Sequence, residues 1–258
     1  MNAGRDGHRI EFAGAHNFRD IGGYLGSDGR SVRRGLVFRS DNLNTLTDDD
    51  LVRLGEVGLS VVYDFRIDSE RSRQPSRLPD PAPEVVVLAT GDAGVDEATV
   101  NIVMDALAGK RPFPPPEFWE ENYENMVDQA RPMFVQLISG LADGRLPAMF
   151  HCTAGKDRTG IATALLHRLI GVADRDIYDD FLLTNAYRVP VRLAALRPQL
   201  QAIGVSDEEA FPVVGVKSGA LERALTKIDR TWGSAEAYLI DGGLARDAPE
   251  RLRALLLS

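Results

Sequence analysis

His151, Cys152, Gly155, Arg158, Thr159 and Gly160 fall inside one short run, HCTAGKDRTG, and Cys152 is the only cysteine in the chain of 258 residues. A lone thiol excludes an intramolecular disulfide and supplies too few thiolates for a cysteine-rich zinc site. It is therefore either a small buried hydrophobe or a nucleophile, and the neighbouring residue types favour the nucleophile. A strand that delivers Cys152 into a tight loop, with a helix starting at the loop's end, aims the backbone N–H groups of Thr153, Ala154, Gly155 and Lys156 at one point. The positive end of the helix dipole points there too. That geometry binds a tetrahedral oxyanion and favours thiolate over thiol. Arg158 adds a planar, permanently charged fork that grips two phosphate oxygens. Gly155 lets the loop turn where a Cβ would clash, Thr159 has a hydroxyl to donate to the sulfur, and His151 fixes the loop backbone.

Together these parts describe in-line attack of a thiolate on phosphorus. An alcohol or phenol leaves, a cysteinyl-phosphate forms, and water hydrolyses it while Arg158 and the amides stabilise the equatorial charge. The scheme needs no metal or other cofactor. Two other classes compete. A module that only captures phosphorylated ligands would not need a reactive cysteine. A sulfur-transfer or thiol-redox enzyme would not need Arg158 in this register, and an arsenate reductase would want a second, resolving cysteine.

The elements that must hold this loop are legible around it. The stretch FVQLISGLADGRLPAMFHC reads as a helix, a turn at Asp143-Gly144 and a strand ending at the cysteine. After the loop, Ile161, Leu165 and Leu169 recur at helical spacing until Gly171, with Leu166 widening the apolar face. Leu36 to Arg39, Leu59 to Phe65 and Glu84 to Ala89 are short, Val- and Leu-rich runs of the buried-strand type. Between the first two, TLTDDDLVRLGEVG offers Thr47 as N-cap, acids in the first turn and Gly58 as stop. From Tyr178 to Ser258 no strand is evident, so the C-terminal third reads as helix. The segment GKRPFPPPEFWEENYENM is either a proline-stiffened surface connection or a lid with an apolar tip.

The pattern H-C-x-x-G-x-x-R-[ST] is that of the cysteine-dependent protein tyrosine phosphatases. GAHNFRDIGGY (14–24), GLVFRSDNL (35–43), VVYDFRIDSER (61–71) and GSAEAYL (233–239) narrow the resemblance to the PtpB-like family of bacterial tyrosine phosphatases. The resemblance spans nearly the whole chain. It implies one phosphatase-like domain over 1–258, of α/β class, with a mainly parallel central sheet flanked by helices, and it leaves room for a helical lid over the pocket. It also implies substrates that carry phosphotyrosine, phosphoserine or phosphothreonine on a protein, or a phosphoinositide. Cys152 matches the nucleophile and Arg158 the phosphate-binding arginine. Lys156 and Asp157 match the KD pair that sets this family apart, and Lys156 is a second cation suited to a substrate with more than one phosphate.

A general acid must protonate the leaving oxygen, and no WPD sequence occurs. Asp157 is favoured by the family pattern, with Asp64, at the end of a predicted strand, as the other candidate; paired with Arg66, Arg19 or Arg158 it would stay ionised and be a poor acid. Asn17, Arg19 and Asp20 either brace the pocket or form a turn with a charge pair. Arg66, Glu70 and Arg71 either add a basic rim or open an amphipathic helix. Arg19 and Arg66 are thus expected at the substrate. His8, His16 and His167 have no partner pattern and read as structural or exposed.

Composition sets the outer bounds. A hydrophobic content of 44% with 26% charged residues is that of a chain able to bury a core. A formal charge of -8 gives no global field for nucleic acid or an anionic membrane, so an anionic substrate has to be held locally. No apolar run has the length of a signal peptide or a membrane span, so the default expectation is a cytoplasmic protein without membrane insertion, with signal-less secretion left open.

Overall fold

A computed structural model describes residues 8–88 and 97–258; Ala89, the end of the third expected strand, lies outside them. The chain runs β1 (Arg19–Asp20), β2 (Val37–Ser40), α1 (Asp48–Val57), β3 (Val61–Asp64), α2 (Asp68–Arg73), β4 (Glu84–Val87), α3 (Glu97–Leu107), α4 (Pro116–Gln129) and α5 (Arg131–Ala142). It continues with β5 (Ala148–His151), α6 (Asp157–Leu169), α7 (Asp174–Tyr187), α8 (Val189–Ala202), α9 (Asp207–Val214), α10 (Ser218–Trp232), α11 (Ala235–Asp241) and α12 (Ala248–Leu256). The fold is therefore α/β, and the described C-terminal part after α6 is helical as expected.

The sheet order is β1-β2-β5-β3-β4, parallel throughout except for β1. Alternation along the strands sends successive side chains to opposite faces. Phe38, Val62 and Met149 join Phe12, Phe18, Leu43, Leu46 and the α1 residue Leu54 in one apolar cluster. Val37, Val61, Tyr63 and Phe150 face the larger core, built with α5, α6, α10, α11 and α12. A third cluster stands apart from the sheet: Leu107 of α3, Val189, Leu196 and Leu200 of α8, and Ala210 and Val214 of α9 pack on one another.

Local chemistry explains the ends that matter. Thr47 Oγ1 accepts from the Asp50 N–H, and Asp50 accepts from the Thr47 N–H, a capping box that starts α1. The same carboxylate accepts from the backbone of Ala13 and Gly14, at 2.9 Å each, and so ties the N-terminal segment to α1. Gly58 ends the helix at φ 68°, where a side chain would be strained. The registers Ser40↔His151 and Asp64↔His151 bring the C-terminal ends of β2, β5 and β3 to one level, the edge at which open parallel sheets hold ligands. Among the described residues no helix is long and apolar enough to cross a membrane.

Candidate active site

The loop between β5 and α6 is held by its carbonyls. His151 Nδ1 donates to the Cys152 carbonyl (3.1 Å), the Asn42 N–H to that of Thr153 (3.2 Å), and Asn17 Nδ2 to those of Ala154 (3.3 Å) and Gly155 (2.9 Å). Arg39 adds a second bond to the Gly155 carbonyl at 2.8 Å. In a trans peptide the C=O and the following N–H point opposite ways. Tying down the carbonyls of residues 152 to 155 therefore turns the N–H groups of residues 153 to 156 to the other side. None of those N–H groups donates to a protein acceptor among the described residues. They form a nest of free donors at the N-terminus of α6. Gly155 permits it: φ is +64°, and a Cβ there would stand 2.3 Å from the Ser40 carbonyl oxygen.

Cys152 is buried at the start of this nest, and Thr159 Oγ1 donates to its sulfur across 3.2 Å. Arg158 is buried against Glu70 of α2. Its NH1 donates to the Phe65 carbonyl (2.7 Å) and Glu70 Oε2 (2.9 Å), and its NH2 to Glu70 Oε1 (2.9 Å). A guanidinium has five N–H bonds, so the side carrying Nε–H and one NH2 hydrogen stays open, a parallel pair of donors suited to two oxygens of one anion. Burial alone would make Arg158 easier to deprotonate, but the Glu70 charge outweighs it and holds the guanidinium more firmly protonated than usual. Burial likewise pushes the Glu70 carboxyl up, yet Arg158 and the Thr153 hydroxyl, which donates to Oε1, bring it below the usual carboxylate range.

The remaining expected residues are distributed around the loop. Asp157 opens α6, where Tyr123 of α4 donates to Oδ1 (2.7 Å) and Lys156 Nζ lies 3.7 Å from Oδ2. Lys156 is buried. Its ammonium donates to the Val213 (2.8 Å), Gly215 (3.2 Å) and Pro212 (3.4 Å) carbonyls at the end of α9 and sits 4.8 Å from the centre of the Trp119 ring. Burial lowers its pKa, with the Asp157 charge opposing. Trp119, Tyr123, Phe211 and Val216 wall a pocket whose polar lining includes Lys156 and Asp157, with Glu120 and Lys217. Asp64 is buried and takes Arg66 Nε (2.9 and 3.1 Å) and NH2 (2.7 Å). Burial would raise the Asp64 carboxyl, but the Arg66 hydrogen bonds and the nearby His151 ring outweigh it and lower the pKa.

Two expectations are corrected. Arg19 and Arg66, expected at the substrate, do not reach the loop nest. Every N–H of Arg19 is spent on Asn17 and Asp180, beneath the loop. Arg66 is committed to Asp64, the Gln74 carbonyl and the Ser76 hydroxyl, so it forms no basic rim. Asp20 makes a turn by accepting from the Gly22 and Gly35 N–H groups, at 2.7 and 2.6 Å. Much of the segment 109–126 is α4, which supplies Trp119 and Tyr123 to the pocket wall.

Sequence reasoning missed Glu70 as the partner of Arg158, and it missed Arg39 and Asp180 altogether. Asp180 of α7 binds Arg39 NH1 (2.6 Å) and Arg19 Nε (2.9 Å) in a fully buried cluster. Burial works to raise the Asp180 carboxyl; the two arginines hold it far below its ordinary value. A signal existed for Glu70, which is placed to cap its own helix, but none pointed from it to Arg158. Among the described residues no group of three or more His, Cys, Asp or Glu side chains is placed to hold a metal ion.

The geometry can be set beside known proteins. The tyrosine phosphatase family matches residues 10–258. A Cupriavidus necator protein named as a tyrosine-protein phosphatase is 33% identical over 235 residues, covering 91% of this chain and 84% of that one. The triple specificity protein phosphatase PtpB of Mycobacterium tuberculosis is 30% identical, covering 96% of this chain and 98% of its own. A tyrosine-protein phosphatase of Nostoc commune is 26% identical, covering 84% and 73%. Because the match takes in the loop, its braces and the helices over it alike, the chain belongs to the tyrosine phosphatase family.

Proposed function

We propose that the chain hydrolyses phosphate monoesters, phosphotyrosine first among them, through a phosphate covalently held on Cys152. One observation carries this reading: the Cys152 sulfur, the free N–H groups of residues 153 to 156 and the open side of Arg158 belong to one short loop and the first turn of the helix after it. The loop donors and Arg158 stabilise the three equatorial oxygens as the thiolate attacks and the ester oxygen leaves opposite. Thr159, donating to sulfur, stabilises it again when water displaces it from phosphorus. Asp157 is the general acid. It stands at the edge of a pocket whose Trp119, Phe211 and Val216 wall suits an aryl leaving group. Asp64, locked ionised by Arg66, is a positioning residue beside His151. The family match from residue 10 to 258 supports reading the chain as a single tyrosine-phosphatase-like domain.

A phosphoinositide, or phosphoserine and phosphothreonine, is the second reading. The cation of Lys156 inside the loop favours a second phosphate, and the relative from Mycobacterium tuberculosis is named for triple specificity. For Lys156 to meet substrate, the end of α9 must release its ammonium, so α8 and α9 act as the lid.

The test is the pH dependence of kcat and kcat/KM on p-nitrophenyl phosphate, a phosphotyrosine peptide and a phosphoinositide, for the wild type, Cys152→Ser, Asp157→Asn and Asp64→Asn. Cys152→Ser is expected to be inactive. Asp157→Asn is expected to lose about 10²- to 10⁴-fold on the poorer leaving groups and much less on p-nitrophenolate. Activity retained by Cys152→Ser would overturn the mechanism, and a leaving-group-dependent loss in Asp64→Asn alone would move the acid to Asp64.

A further inference from the structure

Beside the loop lies a polar cleft of about 370 Å³. Thr153 of the loop forms one part of its wall, and Arg188 and Arg192, one helical turn apart at the start of α8, form another. Their charges are poorly answered. Arg188 NH1 donates to the Val214 carbonyl at 3.3 Å, and its Nε is 3.8 Å from Asp41 Oδ2, a long contact to a carboxylate that already accepts from the His16 and Asn17 N–H groups. Arg192 is exposed and makes no ion pair or hydrogen bond among the described residues. Two like charges at i and i+4 repel one another, and in a chain of net charge -8 surface carboxylates are plentiful, yet none closes on Arg192. The cleft also holds Asn42 and Gln74, which hydrogen bond to each other at 2.6 Å and keep further amide donors and acceptors in hand.

We infer that this cleft is a specificity subsite for an acidic side chain flanking the phosphorylated residue of a peptide substrate, with Arg192 and Arg188 binding the carboxylate. The inference rests on the phosphatase reading of the adjoining loop. Side-chain amides pair with the N–H and C=O groups of an extended peptide, which a lipid headgroup lacks, and Thr153 makes the cleft continuous with the loop that holds the phosphate. Charge pairing at a partly exposed site gives selectivity rather than turnover.

The experiment measures kcat/KM for phosphotyrosine peptides in which each flanking position carries Glu or Gln in turn, with p-nitrophenyl phosphate as a substrate that has no flanking residue. The wild type is expected to prefer Glu by about fivefold at one or more positions, an advantage that shrinks as salt rises. Arg192→Ala should erase the preference, and Arg192→Glu should transfer it to peptides carrying Lys. Equal rates on Glu and Gln peptides, with p-nitrophenyl phosphate still turned over, would overturn the subsite and leave the phosphatase reading standing. Failure of the wild type on every ester would overturn that reading instead. Loss of p-nitrophenyl phosphate turnover in the Arg192 variants would show that Arg192 acts on the loop and not on a flanking residue. A preference for bisphosphorylated inositol headgroups that depends on Arg192 would replace the peptide with a lipid-derived ligand.

Discussion

Arg158 owes its direction to Glu70. The carboxylate takes one end of the guanidinium, so the other side is presented to the loop nest without a search among rotamers. Glu70→Gln keeps the shape and removes the charge. It is expected to lower kcat/KM by about 10²-fold and to weaken inhibition by inorganic phosphate in step, since both read the same guanidinium. Unchanged phosphate inhibition in that variant would separate Glu70 from anion binding. At this scale the sequence was legible wherever chemistry sits within the loop itself. The spacing of Cys152, Gly155, Arg158 and Thr159 puts them on one strand-to-helix loop and the first turn after it, and the structure has them there. Glu70, Arg39 and Asp180 were not legible, because each acts on the loop through contacts that only the folded chain creates. Arg19 and Arg66 were misplaced for the same reason: a charge near the motif in sequence says nothing of which carboxylate captures it.

The elements nearest the loop follow from local rules. Gly58 and the Thr47–Asp50 pair bound α1, and the turn at Asp143-Gly144 separates α5 from β5. The strand expected over Leu59 to Phe65 shortens to Val61–Asp64, although the Ser60 and Phe65 N–H groups at its ends still donate to the Pro147 and His151 carbonyls beside it. The two-residue β1 had no pattern to announce it. Beyond the sheet, α3, α8 and α9 share their own apolar cluster, in which Leu200 is fully buried. Elements with a separate core open separately. Leu200→Ala is expected to speed amide hydrogen exchange in α3, α8 and α9 while leaving α5 and α6 as slow as in the wild type. A uniform increase across all five helices would instead mean that the cluster unfolds only with the rest of the chain. The same rules could not say that α9 would end on the Lys156 ammonium, because helix ends reveal where carbonyls are freed but not what comes to meet them.

Across the whole molecule, the titrating groups pull stability in one direction on the acid side. Burial depresses the pKa values of His8, His151 and His167, despite neighbouring acceptors and carboxylates that oppose it. Asp64, Glu70 and Asp180 are held below the usual carboxylate range by their arginines, against their burial. In both sets the unfolded chain takes up protons before the folded one. Their stabilisation is therefore complete above the unfolded pKa and is lost as pH falls toward the folded value. The melting temperature is expected to decline from about pH 6.5 downward as the histidines titrate, and more steeply below about pH 4. A melting temperature that rises between about pH 7 and 5 would contradict these assignments. The alternating strands and helices and the helical C-terminal part were readable from periodicity, and the α/β class with its mainly parallel sheet from the family resemblance; the strand order was not, since residues distant in the chain decide it.

The Asp180 cluster has a consequence for how the protein is born. Synthesis proceeds from the N-terminus, so Arg19, Arg39 and the entire 151–160 loop leave the ribosome before the carboxylate that neutralises the two arginines. Until α7 emerges, those cations repel one another beneath a loop whose Gly155 carbonyl depends on Arg39. A nascent chain halted short of Asp180 thus carries Cys152 and Arg158 without one of the braces beneath their loop, which is completed only as the helical half of the polypeptide is translated.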